Sequence, residues 1–77
     1  MRPLKSLNNV EASALVYVMN TNHNVTEAQF DEDHEPIGPE LREALMPFFM
    51  ELRPDDGRLI LTEDGMEIAL TKKYGRR

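Results

Sequence analysis

Seventy-seven residues, 40% apolar and 30% charged, suit one small globular domain spanning 1–77 and exclude both a disordered chain and a multidomain one. With no cysteine, neither disulfides nor a thiolate zinc site can brace a chain that buries only about 60–65% of its unfolded surface. The net charge of −5 hides a segregation: Arg2, Lys5, Lys72, Lys73, Arg76 and Arg77 lie at the ends, and between Ser6 and Thr71 fourteen acids stand against three arginines, a net of −11 that repels phosphate backbones and suits a basic partner surface.

The first predicted helix starts at Asn8 or Asn9, whose short side-chain acceptors can cap a free backbone N–H, with Glu11 in the first turn where the helix dipole favours an anion. Val10, Ala14, Tyr17 and Val18 fall on one apolar face, with Leu15 beside it, and the polar run Asn20–Asn24 ends the helix. A short second helix is predicted from Thr26, with Gln29 completing a capping box and Val25 and Phe30 placed as a hydrophobic staple. It runs into Asp31-Glu32-Asp33-His34-Glu35, and Pro36-Ile37-Gly38-Pro39 resets the chain. A third helix opens near Pro39, buries Leu41, Ala44 and Leu45 with Phe48 extending the face, and ends near Met46 because of Pro47.

Phe48 to Leu52 then reads as a short strand or a second helical piece, Pro54-Asp55-Asp56-Gly57 as a turn, and Arg58 to Leu61 as a buried strand. The last segment has two readings. Asp64-Gly65 can be a two-residue hairpin loop that sets Leu61 opposite Ile68 and Leu59 opposite Leu70. Alternatively, Thr62 caps a helix with Glu63 and Asp64 in its first turn, Lys72 and Lys73 at its C-terminal end and Gly75 as the stop.

The stretch Arg53-Pro54-Asp55-Asp56-Gly57-Arg58-Leu59-Ile60-Leu61-Thr62-Glu63-Asp64-Gly65 resembles the wing and following helix start of winged helix-turn-helix regulators, in which a Leu-Thr-x-x-Gly string opens a helix after the wing. The resemblance implies an α+β, winged-helix-like fold: three N-terminal helices and a small C-terminal β-hairpin, with or without a last helix. It also implies that the helix from Pro39 to Met46 is the recognition helix. In DNA-binding members that helix reads bases with basic or amide side chains. Here it carries Arg42 between Glu40 and Glu43, and the wing carries Asp55 and Asp56 beside Arg53 and Arg58.

Candidate chemistry is sparse. Asp31, Glu32, Asp33, His34 and Glu35, with His23, are ligand types for a metal, but neighbours in sequence rarely converge on one ion, and a solvated acidic loop is expected instead. Asn20 to Asp31 mimics a calcium loop only in part, with Val25 where Gly is needed and Asp31 in place of the bidentate Glu. Ser6 and Ser13 are the only serines and sit in no nucleophile motif, so neither an enzyme nor a cofactor is expected. No run reaches the roughly 18–20 apolar residues of a membrane span, and the patch Ala12 to Met19 lacks a signal-peptide cleavage site. A cytoplasmic location is therefore expected, where the sequon Asn24-Val25-Thr26 has no glycosylation role.

The function these residues predict is a small acidic protein-interaction module that regulates or inhibits a partner with a basic surface; a DNA mimic of the kind phages encode belongs to this class. Its contact residues are expected to be Asp31, Glu32, Asp33, Glu35, Glu40 and Glu43, with Phe49 as an exposed apolar anchor. Met46, Met50 and Met66 are expected in the core, while one of Phe48 and Phe49 must face outward if both lie on a strand. The alternative is a winged-helix DNA-binding transcription regulator using Arg42, Arg53, Arg58, Lys72, Lys73, Arg76 and Arg77, with a flexible basic tail from about residue 72. A small core also leaves room for a homodimer.

Overall fold

The computed structural model describes residues 7–75, so Arg2, Lys5, Ser6, Arg76 and Arg77 lie outside the described residues. The elements run α1 (Asn9–Asn20), α2 (Glu27–Asp33), α3 (Gly38–Leu45), β1 (Met50–Leu52), β2 (Leu59–Leu61) and α4 (Glu63–Tyr74). The fold is thus α+β, with three helices, a small antiparallel hairpin and a last helix. α1 is fixed by a full capping box: Asn8 Oδ1 accepts from the Glu11 N–H at 2.8 Å, and the Glu11 carboxylate accepts from the Asn8 N–H at 3.1 Å. Its Ala14, Leu15 and Val18 are buried and face α4 and the hairpin. Val10, expected on this face, is 50% exposed because it borders an open groove beside α3.

Thr26 caps α2 by accepting from the Gln29 N–H at 3.1 Å. The Gln29 side chain does not return the bond; it donates to Asp33 Oδ1 at 3.0 Å. Val25 and Phe30 are both buried, as the staple requires. α2 and α3 then meet very closely, since a Cβ on Gly38 would stand 2.4 Å from the Asp31 carbonyl oxygen. α3 ends at Leu45, and Met46 takes an extended conformation (φ −94°, ψ 147°) as a residue preceding proline must.

Beyond Pro47 the chain turns, and two expectations are corrected. The Phe49 N–H donates to the Leu45 carbonyl at 2.8 Å, and the Phe49 side chain enters the core with Leu45, Met50 and Leu59. Phe49 is 1% exposed and cannot be a surface anchor; Phe48, expected to extend the buried face of α3, is 43% exposed. Met50, by contrast, is core, and Met46 packs against it.

The hairpin pairs Met50 with Leu61, Glu51 with Ile60 and Leu52 with Leu59. Its turn is closed by the Arg53 N–H on the Arg58 carbonyl (2.7 Å), with Gly57 at φ +71°. On the far edge of β2 the Leu59 N–H donates to the Val25 carbonyl at 2.8 Å, tying the sheet to the segment that enters α2.

Of the two readings of the last segment, the helix is the one adopted. Thr62 is its N-cap, accepting from the Gly65 N–H at 3.1 Å, and Gly75 ends it in the left-handed region at φ +68°. The tail expected from about residue 72 therefore does not begin there. Lys72 and Lys73 occupy the last turn of α4 and donate to Asn9 Oδ1 (3.3 Å) and Asn20 Oδ1 (2.8 Å) on α1.

What decides against the second hairpin is the hydrogen bonding around Thr62. Its N–H donates to the Phe49 carbonyl at 3.1 Å and its hydroxyl donates to the Phe48 carbonyl at 2.7 Å. A Cβ on Gly65 would stand 1.9 Å from the Phe49 carbonyl oxygen.

Gly65→Ala sets two effects against each other. Alanine favours a helix over glycine by about 1 kcal/mol, but the clash is with backbone and cannot be relieved by a rotamer change. The clash is expected to win and to lower stability by about 3 kcal/mol in urea denaturation. Gly57→Ala, with open space around its Cβ, is expected to lose only about 1 kcal/mol. Equal losses at the two positions would contradict the close approach at Gly65.

Candidate functional site

Arg42 decides what the corner between α2 and α3 can present. It points from α3 back to α2, where Nε and Nη2 donate to the two carboxylate oxygens of Asp31 at 2.9 and 2.8 Å and Nη1 donates to Glu27 Oε2 at 2.9 Å. This bidentate geometry with a second carboxylate is the strong form of an ion pair. The Arg42 hydrogen bonds hold the Asp31 carboxyl below the usual carboxylate range, and Asp31 in turn raises the guanidinium.

The arginines of the turn between β1 and β2 are also engaged. Arg53 grips Asp56 with Nε and Nη2 at 3.0 and 2.9 Å, and Asp56 accepts from the Arg58 N–H at 3.1 Å. The Arg53 hydrogen bond, followed by that of the Arg58 backbone, takes the Asp56 carboxyl down to about 2. Arg58 Nε lies 3.5 Å from Asp56 Oδ2, and its Nη1 donates to the Asn24 carbonyl. Each of the nucleic-acid candidates Arg42, Arg53 and Arg58 therefore has carboxylate or carbonyl partners within the fold.

The six acids expected to contact a partner divide into two groups. Asp31 is bound to Arg42. Asp33 accepts from the Tyr17 hydroxyl and from Gln29, and Tyr17 is pushed up to about 12, chiefly by burial and then by this hydrogen bond. The Tyr17 bond, more than that of Gln29, holds Asp33 low. The side chains of Glu32, Glu35 and Glu40 are exposed and carry no hydrogen bond or ion pair among the described residues, and that of Glu43, also exposed, acts on the Arg42 guanidinium only through its charge.

The two grooves at this corner border the turn between α2 and α3. One, of about 550 Å³, is lined by Ala28, Asp31, Glu32, Glu35, Pro36 and Pro39. The other, of about 310 Å³, includes Val10, Ile37, Glu40, Leu41 and Ala44.

An aromatic cluster supports the turn from behind. His34 stacks on Phe30 at 4.2 Å between centroids and meets Tyr17 edge-on at 4.8 Å, and its Nδ1–H donates to the Phe30 carbonyl at 2.8 Å. Sequence reasoning missed this cluster, although the spacing of His34, the C-cap of α2, four residues after Phe30 was the available signal. Because Asp31, Asp33 and His34 are each turned to a different protein partner, the acidic run does not gather into a ligand set. Among the described residues no three His, Asp or Glu side chains are arranged to hold a metal ion. His23, the other candidate ligand, follows Asn22 in the left-handed region (φ +58° and +60°), and its buried Nε2 has no hydrogen-bond partner. No helix among the described residues is long and apolar enough to cross a membrane.

Comparison with protein-family models, curated proteins and solved structures finds no match to the chain.

Two outcomes test this geometry. Arg42→Met leaves Asp31 and Glu27 without their cation and is expected to lower stability by about 1–2 kcal/mol at neutral pH, between the values for exposed and buried pairs. Because Asp31 is depressed in the folded state, its contribution is present above its unfolded value near 4 and is lost as pH falls through the lower folded value. The gap between wild type and variant should therefore close in denaturation curves taken below pH 4. In Tyr74→Phe, Tyr17 is the remaining tyrosine, and its absorbance titration should centre near pH 12 and move down only in part when Asp33 is changed to Asn, because burial, the larger cause, remains. With the folded value raised, this group's contribution is complete below pH 10 and is lost as pH rises towards 12.

Proposed function

We propose that this chain is a small acidic protein-interaction module that regulates or inhibits a cytoplasmic partner through the corner of α2 and α3. The observation that supports this reading most is the direction of charge on α3. Glu40 and Glu43 face solvent and make no hydrogen bond or salt bridge among the described residues, while Arg42 between them is turned inward onto Asp31 and Glu27. With Glu32 and Glu35 across the turn, the available charge of the corner is negative. Such a surface attracts and orients a cationic patch, accelerating encounter more than it deepens affinity. Inhibition by imitation of a nucleic-acid backbone, as in phage-type inhibitors, is one form this module can take.

The order of elements also supports a second reading, a winged-helix DNA-binding regulator. In that reading α3 would enter the major groove and the turn between β1 and β2 would lie along the backbone. The helix would then bring two glutamates to the bases, and its arginine would have to leave two carboxylates.

Titration with duplex DNA at two salt concentrations separates the two readings. The module should show no binding, whereas tight binding that falls steeply with salt would overturn it in favour of the regulator. Changing Glu32, Glu35, Glu40 and Glu43 together to Gln is expected to weaken binding to a cationic protein partner by about tenfold or more at low salt. Unchanged binding in that variant would remove this corner from the function.

A further inference from the structure

We infer that the partner segment recognised at this corner is both cationic and aliphatic, and that it seats a branched aliphatic side chain in the groove between the start of α1 and α3. The inference rests on the proposal that the corner binds a basic partner, and it names the chemistry of the segment bound.

The groove, about 310 Å³, lies at the lower end of the range for ligand sites and has room for an aliphatic side chain. Val10 and Ile37 line it at 50% and 42% exposure with Ala44 and the buried Leu41, and the capping pair Asn8 and Glu11 completes the lining with Glu40. Exposed apolar side chains scattered singly are ordinary. Two that converge from different elements on one concave patch are not scattered, and contiguous apolar patches of this kind mark contact sites.

The charge around the groove selects its occupant. Glu40 lines it, Glu43 is one turn further along α3, and the acidic groove with Glu32 and Glu35 lies on the other side of the Pro36–Pro39 turn. A second copy of this chain would bring these exposed glutamates against one another, and a phosphate backbone or an anionic lipid surface would be repelled. A peptide crossing the Ile37 ridge would meet the apolar groove on one side and carboxylates on both. Alternation of basic and aliphatic side chains satisfies that arrangement.

The test is calorimetric titration of the whole chain, at low salt, with two capped octapeptides: one alternating Arg and Leu, the other alternating Arg and Ala. The Arg–Leu peptide is expected to bind about tenfold more tightly. Val10→Asn and Ile37→Asn should each bring that ratio towards one, by weakening the Arg–Leu peptide more than the Arg–Ala peptide. Both positions are about half exposed, and circular dichroism of each variant checks that the fold persists.

Equal affinities in the wild type, or a preference that survives in both variants, would overturn the inference. If the ratio is one, but Arg–Ala binding disappears in the variant with the four glutamines, the groove is excluded and the acidic reading stands. If the wild type binds neither peptide, both fail.

Discussion

The carbonyl oxygen of Phe49 is the point on which the rest of the chain is assembled. It accepts the Thr62 N–H at 3.1 Å and lies so close to Gly65 that only hydrogen fits between them. Together with the Thr62 hydroxyl, which bridges the Phe48 carbonyl and the Gly65 N–H, it joins the entry of the hairpin to the first turn of α4. Leu-Thr-x-x-Gly is thus a packing device: the threonine caps the helix and binds the neighbouring backbone, and the glycine admits a carbonyl where any side chain would collide. That joint sets α4 against α1, whose buried Ala14, Leu15 and Val18 form one wall of the core.

Charge is divided between structural and available groups. Arg42, Arg53 and Arg58 each hold carboxylates of their own chain, and Asp31, Asp33 and Asp56 owe their low carboxyl values to those bonds and to Tyr17. Internal pairing of the arginines with acids leaves an acidic excess at the surface, to which Glu32, Glu35, Glu40 and Glu43 contribute at the α2–α3 corner. The net charge of −5 understates what a partner would meet there, because two of the balancing cations, Lys72 and Lys73, lie on α4 and bind Asn9 and Asn20 of α1.

What could be read from the sequence follows from the range of the interaction. Asn8, Thr26 and Thr62 cap helices through bonds three residues long, so their roles were visible in local pattern. Pro47 ended α3 for an equally local reason. The roles of Phe48 and Phe49 were not visible, because the strand begins only at Met50 and the turn after Pro47 sets which ring faces inward.

The last helix was ambiguous because hairpin and helix patterns overlap there. The choice is tied to the Phe49 carbonyl, sixteen residues before Gly65 in the chain. The same limit applies to the corner. Its acids were legible as a run, but the inward turn of Arg42 across eleven residues to Asp31, and the meeting of Val10 with Ile37, depend on how helices dock.

The packing of α1 against α4 carries a consequence for the order in which the chain can fold as it is made. The first helix emerges from a ribosome with Ala14, Leu15 and Val18 uncovered, and the helix that packs against them is the last element of the described chain. The capping box at Asn8 and Glu11 can hold α1 together locally, but a short helix in water is marginal without a surface to bury against. Nascent chains that lack α4 therefore expose an apolar stripe, and the core closes only once α4 has emerged. Folding of the first helix in this sense waits for the fourth.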